Sequence, residues 1–263
     1  MKDITLEQIA EVVREAAGLM VRSGFEVHDK GSRENLVTSS DIAVQHFLTG
    51  QLGELLPGSG FLCEEEDLAD VGHRDVWIID PIDGTANSAR GNENCCISVA
   101  LVRDGVPTAG VVYSPWRGEL YCAEKGGGAF CNGKPIHVSG RSYEDGILFT
   151  AMSTYRKEFA RVCSDIIFDI FMECNDFRRS GSAAVELCLM AAGQAELYFE
   201  MRLMPWDYAA ASVILEEAGG AICSFDGKAP SLSLPSLIIA ANTAENCTRI
   251  LDRVHAHLPA LPY

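Results

Sequence analysis

The sequence contains no CxxC pair, no GxSxG and, near its acidic motifs, no HxH or HExxH spacing, and its ten cysteines and six histidines are scattered along the chain. These gaps remove the usual signatures of zinc sites, dithiol redox centres and serine hydrolases. No apolar run reaches bilayer-crossing length, and Met1, Lys2, Asp3 and Ile4 do not open a basic stretch leading into an apolar one. Basic residues are also scarce: 21 Lys and Arg stand against 37 Asp and Glu, a formal net charge of -16. That balance argues against nucleic acid and against anionic membrane surfaces as partners. The cysteines sit in apolar runs such as Cys95-Cys96-Ile97, which reads as buried free thiols and makes the cytoplasm the expected compartment.

What is present is a core-forming chain, with 48% hydrophobic residues over 263 positions and neither repeats nor a Pro/Ser-rich linker. Apolar spacing predicts a helix over 6–20 with Thr5 as N-cap, and a second over 40–56 stopped by Pro57-Gly58. Strands are predicted at 60–63 and, as a near-continuous apolar run, at 76–80. Short strands at 97–102, 109–113 and 119–123, with Asp104-Gly105 and Asn132-Gly133 as turn signals, predict an antiparallel sheet. Beyond it, helices over 157–171, 182–192, 208–218 and 244–258 alternate with strands at 195–199, near 222 and at 237–241. The expectation is a mixed α/β layered sandwich, its halves 1–140 and 141–263 packed as one catalytic unit.

The strongest local signal is Asp80-Pro81-Ile82-Asp83-Gly84-Thr85, directly after the buried strand. Pro81 fixes one backbone angle and Gly84 permits an unusual one, so the turn can aim Asp80, the Ile82 carbonyl and Asp83 at neighbouring points. Oxygen ligands of that kind suit a hard cation such as magnesium; an ordinary Pro-Asp-Gly turn with capping aspartates is the alternative. Glu64, at the head of Glu64-Glu65-Glu66-Asp67, also follows a strand end, and reads either as a solvated acidic loop or as a further ligand delivered to the same edge. Asp207 opens a helix after Pro205-Trp206, as an N-cap or as a third metal carboxylate. Arg178-Arg179-Ser180-Gly181-Ser182-Ala183-Ala184 also precedes a helix, whose amides either receive an anion or are simply capped. The polar segment from Lys30 to Asp41 has no strong structural reading of its own.

Taken in order, these pieces resemble the inositol monophosphatase family of magnesium-dependent, lithium-sensitive phosphatases, from about Leu6 to Leu258. The resemblance rests on Lys30 followed by Leu36-Val37-Thr38-Ser39-Ser40-Asp41, on Glu64-Glu65, and on Asp80-Pro81-Ile82-Asp83-Gly84-Thr85-Ala86-Asn87. It continues through Ala129-Phe130-Cys131-Asn132, Arg179-Ser180-Gly181-Ser182-Ala183-Ala184, and Trp206-Asp207-Tyr208-Ala209-Ala210 leading to Glu217-Ala218-Gly219-Gly220. It implies a layered αβαβα sandwich of the sugar phosphatase type and two to three Mg2+ ions. Glu64, Asp80, the Ile82 carbonyl, Asp83 and Asp207 would be the ligands. Thr85 would orient the attacking water with Asp41 behind it and Glu64 assisting. Gly84 and Thr85 would hold the phosphate, while Gly181, Ser182, Ala183 and Glu200 would face the leaving group. The substrate implied is a small phosphate monoester, and a homodimer is implied as well.

Cys63 stands where the family usually has glycine, Ser88 where an aromatic often follows, and Met204 where a polar substrate contact often lies. None removes a ligand, but inositol specificity is left open. The competing readings are a nucleotidase of 3'(2'),5'-bisphosphates, a fructose-1,6-bisphosphatase, an NADP phosphatase or a histidinol phosphatase. A bisphosphate would call on extra cations such as Arg156, Lys157, Arg178, Arg179 or Arg202. From another class, the chain could be a non-catalytic binder of metal or sugar phosphate.

Overall fold

The computed structural model describes residues 4–20, 27–32, 35–65, 68–154 and 156–259, without the side chains of 27–32 and 35–36. Lys30 contributes backbone only, and Glu66 and Asp67 lie outside the described residues.

Helix α1 (Leu6–Ala17) begins at Thr5 in a capping box: Thr5 Oγ1 accepts from the Gln8 amide, and the Gln8 side chain accepts from the Thr5 amide. Its buried stripe is Ile9, Ala10, Val13, Ala16 and Ala17. Strands β1 (Val27–Ser32) and β2 (Asn35–Thr38) pair antiparallel in the segment that carried no structural expectation, and β2 runs straight into α2 (Ser39–Leu55). There follow β3 (Gly60–Cys63), β4 (Ala69–Asp70), β5 (Asp75–Asp83), the single-turn α3 (Thr85–Ser88), β6 (Cys96–Arg103), β7 (Val106–Ser114), β8 (Glu119–Glu124), β9 (Ala129–Cys131) and β10 (Lys134–Pro135). They form an eight-stranded sheet in the order β10-β9-β8-β7-β6-β5-β3-β4, antiparallel except for the β3/β5 pair. Asp104-Gly105 and Asn132-Gly133 make the expected tight turns, all four residues at positive φ.

The second half supplies β11 (Ile147–Thr150), a 3-10 turn (Lys157–Phe159) leading into α4 (Ala160–Phe171), β12 (Asp176–Arg178), α5 (Ala183–Ala191), β13 (Leu197–Leu203), α6 (Pro205–Glu217), β14 (Ala221–Cys223), β15 (Ser236–Ala241) and α7 (Ala244–His257). The strands form a mixed five-stranded sheet, β12-β11-β13-β15-β14. Strands β11 and β12 escape the sequence reading because four and three residues carry too little periodicity. Strand β13 runs past the predicted end at 199: Glu200 and Arg202 alternate with buried Met201 and Leu203, a half-buried pattern rather than a stop.

Three apolar clusters define the layers. Residues of α1 and α2 pack with Trp77, Ile79, Ile97 and Val99 on one face of the large sheet. Its other face, carrying Val76, Ile78, Ala100 and Val112, packs on α5 and α6, which also meet Tyr198, Ile238 and Ala240 of the small sheet. The far side of the small sheet, with Leu197, Phe199, Leu237 and Ile239, is covered by α4 and α7. The result is the expected αβαβα sandwich. Helix α6 rides directly on β7: a Cβ on Gly110 would stand 2.2 Å from the Ala210 carbonyl oxygen, so only glycine fits beneath the Ala209-Ala210-Ala211 stretch.

Candidate metal centre and active site

The site forms where parallel β3 and β5 end together. Cys63 lies beside Ile79 in the register, so Glu64 and Asp80 emerge at one edge. Asp80 and Asp83 are three positions apart, which on a regular strand would put them on opposite faces. Against β6, however, Asp80 pairs with Ser98 and Asp83 with Cys96: three steps on β5 match two on β6. This one-residue bulge turns Ile82 into the cluster beneath α1 and α2 and brings Asp83 back to the face of Asp80, towards α5 and α6.

Two further carboxylates come from first turns of helices. Asp207 stands in the first turn of α6, and its Oδ2 accepts the Met204 amide at 2.6 Å. Ser98 Oγ, opposite Asp80, donates to the Trp206 carbonyl at 3.3 Å and ties the start of α6 to β6. Capping and a place in the cluster are therefore not alternatives for Asp207. Oxygens of Asp80, Asp83 and Asp207 lie within 4.8 Å of one another. A hard cation with oxygens at about 2.1–2.4 Å spaces its ligands by at most about 4–5 Å, so one ion can span this set. In α2, Asp41 is fully buried, accepts the Thr38 amide at 2.9 Å and the Thr38 hydroxyl, and receives Thr85 Oγ1 on Oδ1 at 3.2 Å. Thr85 Oγ1 is also 3.1 Å from the Ile82 carbonyl oxygen, so its single proton has two acceptors.

The electrostatics call for a cation. Burial pushes the Asp80 carboxyl well above its ordinary range, and the charges of Glu64, Asp83 and Asp207 add to the rise. Glu64 and Asp80 are within hydrogen-bonding reach of each other, which requires a proton or a cation between two carboxyls. Asp83 is pushed up to about 6 by burial, although the Ser182 hydroxyl and the Ala184 amide hold it down. Asp207 rises by burial and by the charges of Asp83 and Glu64. Among the described residues none of Asp80, Asp83 and Asp207 forms an ion pair with Lys or Arg, and Asp80 Oδ1 is buried with no hydrogen-bond partner. An orphaned carboxylate oxygen among like charges fits a hard cation as its partner.

The turn before α5 differs from the anion-receiving reading. Asp83 Oδ2 accepts Ser182 Oγ and the Ala184 amide, both at 2.7 Å, and Glu186 accepts the amides of Ser180 and Gly181. The chain's own carboxylates fill these donors, so capping prevails there. Gly84 stands at φ 89 as N-cap of α3, and Gly181 at φ 92. Ala183 is buried, and Glu200 is pushed up to about 8 by burial and by Glu186, while Arg179 pulls it down.

Sequence reasoning missed Gln45 and Glu186. Gln45, one helical turn after Asp41, exchanges two hydrogen bonds with the backbone of Glu65, at 2.8 and 3.0 Å, and so fixes the loop that carries Glu64. The lone acid in the wholly buried helix Ala183–Ala191 was the legible signal for Glu186. A cavity of about 620 Å³ does not cover the carboxylates; it lies farther along α6, over Tyr208, Ser212 and Glu216.

With this geometry in place, comparison with known proteins decides the kinship. The sequence profile of the inositol monophosphatase family matches residues 3–258. The chain belongs to that family. Inositol monophosphatase 3 of Solanum lycopersicum is 35% identical over 254 residues, covering 91% of this chain and 94% of its own. Nus factor SuhB of Escherichia coli K12 is 35% identical over 234 residues, covering 86% and 87%. Among solved structures, the IMPase of Thermotoga maritima superposes with a TM-score of 0.83 at 29% identity, over 97% of this chain and 98% of its own. A staphylococcal inositol monophosphatase-1, solved as an inhibitory complex soaked in 100 mM LiCl, gives 0.83 at 28%, over 95% and 96%. The inositol monophosphatase family is one of phosphatases, and this member presents an acidic cluster able to hold metal.

Proposed function

We propose that the chain is a magnesium-dependent phosphomonoesterase that hydrolyses inositol monophosphate or a similar small polyol or sugar phosphate to the alcohol and inorganic phosphate. The observation that carries this reading is the cluster of Asp80, Asp83 and Asp207, whose carboxylates bring oxygens within 4.8 Å of one another while Asp80 Oδ1 is buried without a hydrogen-bond partner. Two to three magnesium ions held by Glu64, Asp80, the Ile82 carbonyl, Asp83 and Asp207 would supply Lewis-acid chemistry and offset the charge of the phosphate. Thr85, hydrogen-bonded to buried Asp41, is held where its hydroxyl can pass its proton towards Asp41 and accept one from an attacking water. Glu64 stands beside Asp80 to share that task. The backbone of Gly84 and Thr85 opens α3 towards the phosphate, and Gly181, Ser182, Ala183 and Glu200 face the leaving group.

Direct attack by water suits the surroundings better than a covalent route. The thiols nearest the cluster are poor nucleophiles: burial pushes Cys63 up to about 12 and Cys96 well above its ordinary value. The cations a bisphosphate would need are partly committed, since Arg156 pairs with Glu158 and Arg178 with Asp176. Arg179, bound to Thr154 Oγ1 at 3.0 Å, keeps a charge that reaches Glu200 and is the cation of that set a second phosphate would call on. A homodimer acting in the cytoplasm completes the reading; the ten cysteines, all free thiols, accord with a reducing compartment.

The test is phosphate release from inositol 1-phosphate, adenosine 3',5'-bisphosphate, fructose 1,6-bisphosphate, NADP and histidinol phosphate, each with magnesium and with EDTA. Magnesium-dependent release led by inositol 1-phosphate supports the reading and shows that Met204 is tolerated. Another leading substrate moves the specificity, and no release at all favours a non-catalytic binder.

A further inference from the structure

Two side chains outside the proposed ligand set grip the turn at 180–182. Asn87, on α3 two residues after Thr85, donates through Nδ2 to the Ser180 carbonyl at 2.8 Å and to the Asn94 carbonyl at 2.6 Å. Both amide protons are thereby engaged. From the other side Glu186, 2% exposed in α5, takes the Ser180 amide and, at 3.4 Å, the Gly181 amide on one oxygen, Oε1. The turn is pressed closely against this grip: Gly181 has φ 92, and a Cβ there would stand 3.1 Å from Asn87 Nδ2. Asp83 completes the fixation through Ser182 Oγ and the Ala184 amide.

The turn is thus bound at Ser180 N, Ser180 O, Gly181 N and Ser182 Oγ, and three of these four contacts come from Asn87 and Glu186. We propose that Asn87 and Glu186 are positioning residues that hold the 180–182 turn at a fixed offset from the carboxylate cluster and so set the selectivity for the alcohol half of the substrate. The inference rests on the phosphomonoesterase reading, in which that turn faces the leaving group. Its physical basis is that Asn87 belongs to the same chain segment as Asp80, Asp83 and Thr85, so a displacement of the metal turn is transmitted directly to the specificity turn. Misplacement by about 1 Å suffices to cost roughly 100-fold in a positioned reaction. A hydroxyl-free leaving group would not feel the turn.

The experiment compares wild type, Asn87→Ala, Glu186→Ala and Glu186→Gln on inositol 1-phosphate and on 4-nitrophenyl phosphate at saturating magnesium, with amide hydrogen exchange of the 176–184 peptide as a second readout. Expected is a fall of about 10- to 100-fold in kcat/KM on the inositol ester for both Ala variants, with kcat on the aryl ester within about 3-fold of wild type. Exchange in the peptide rises in both. Glu186→Gln, which keeps an oxygen acceptor, restores most of the loss. Equal losses on the two esters, or unchanged exchange, overturn the positioning role; if Glu186→Ala fails to fold, Asn87→Ala decides. A wild type that cleaves neither ester with magnesium counts against the inositol phosphate reading instead, while the exchange data still decide whether Asn87 and Glu186 hold the turn.

Discussion

At the scale of single residues, Asp80 is the point of greatest tension. Its carboxyl is buried, has an oxygen without a partner and faces the charges of Glu64, Asp83 and Asp207. Removing its charge relieves repulsion in the metal-free protein but takes a ligand from the metal-bound one. Asp80→Asn is therefore expected to raise Tm in EDTA and to lower the stabilisation that magnesium confers; thermal unfolding with and without the ion checks both signs. A fall in Tm under both conditions would contradict the account. Glu186 gives a pH prediction. Burial raises its carboxyl to about 7, so the folded protein holds a proton that the unfolded chain releases near the ordinary carboxylate range. Its contribution to stability is full at low pH, erodes as pH rises from about 4.5 to about 7, and is flat above. Denaturant unfolding across that range should show this decline in wild type and lose that component in Glu186→Gln. Asp80, Asp83, Thr85 and Asp207 were legible in the sequence because strand end, proline and glycine compress them into short motifs. Gln45 and Glu186 were not assigned roles, because their partners lie 20 residues away at Glu65 and in a turn whose backbone donors no motif displays.

Among the elements, the long periodic ones were read to within a few residues: α1 stops at Ala17 rather than 20, and α6 starts at Pro205 rather than 208, with proline in its first turn. The β1/β2 hairpin was not foreseen in the polar 30–41 segment, nor was β11 or β12, because pairing rather than pattern creates short strands. The bulge in β5 was equally invisible, since it exists only in register with β6. The α6/β7 contact carries an element-level prediction. Gly110→Ala places a methyl group against the Ala210 backbone, which must shift, and α6 carries Asp207. A loss of about 1–3 kcal/mol in urea unfolding is expected, with weaker magnesium binding by calorimetry. Unchanged metal affinity would show that α6 does not set the position of Asp207.

For the molecule as a whole, the proposed phosphatase reading would reconcile the formal charge of -16 with an anionic substrate through metal rather than through a basic surface. Lithium, a small hard cation, should compete with magnesium for part of the proposed metal site. Initial rates in tens of millimolar lithium, an order chosen to exceed weak hard-cation binding, should fall and recover with added magnesium. The layered sandwich followed from the order of elements and its five layers from the family resemblance, and the three apolar clusters of the fold bear out both. The central claim is that the Asp80, Asp83 and Asp207 cluster performs magnesium-dependent hydrolysis. Its most direct test is phosphate release from inositol 1-phosphate over a magnesium titration, for wild type and Asp83→Asn, with folding monitored by circular dichroism. The account predicts release that rises with magnesium in wild type and falls by on the order of 100-fold or more in the folded variant, since even partners behind a metal ligand cost 10–100-fold when removed. Near-normal turnover in Asp83→Asn, or wild-type turnover that persists in EDTA, would contradict it.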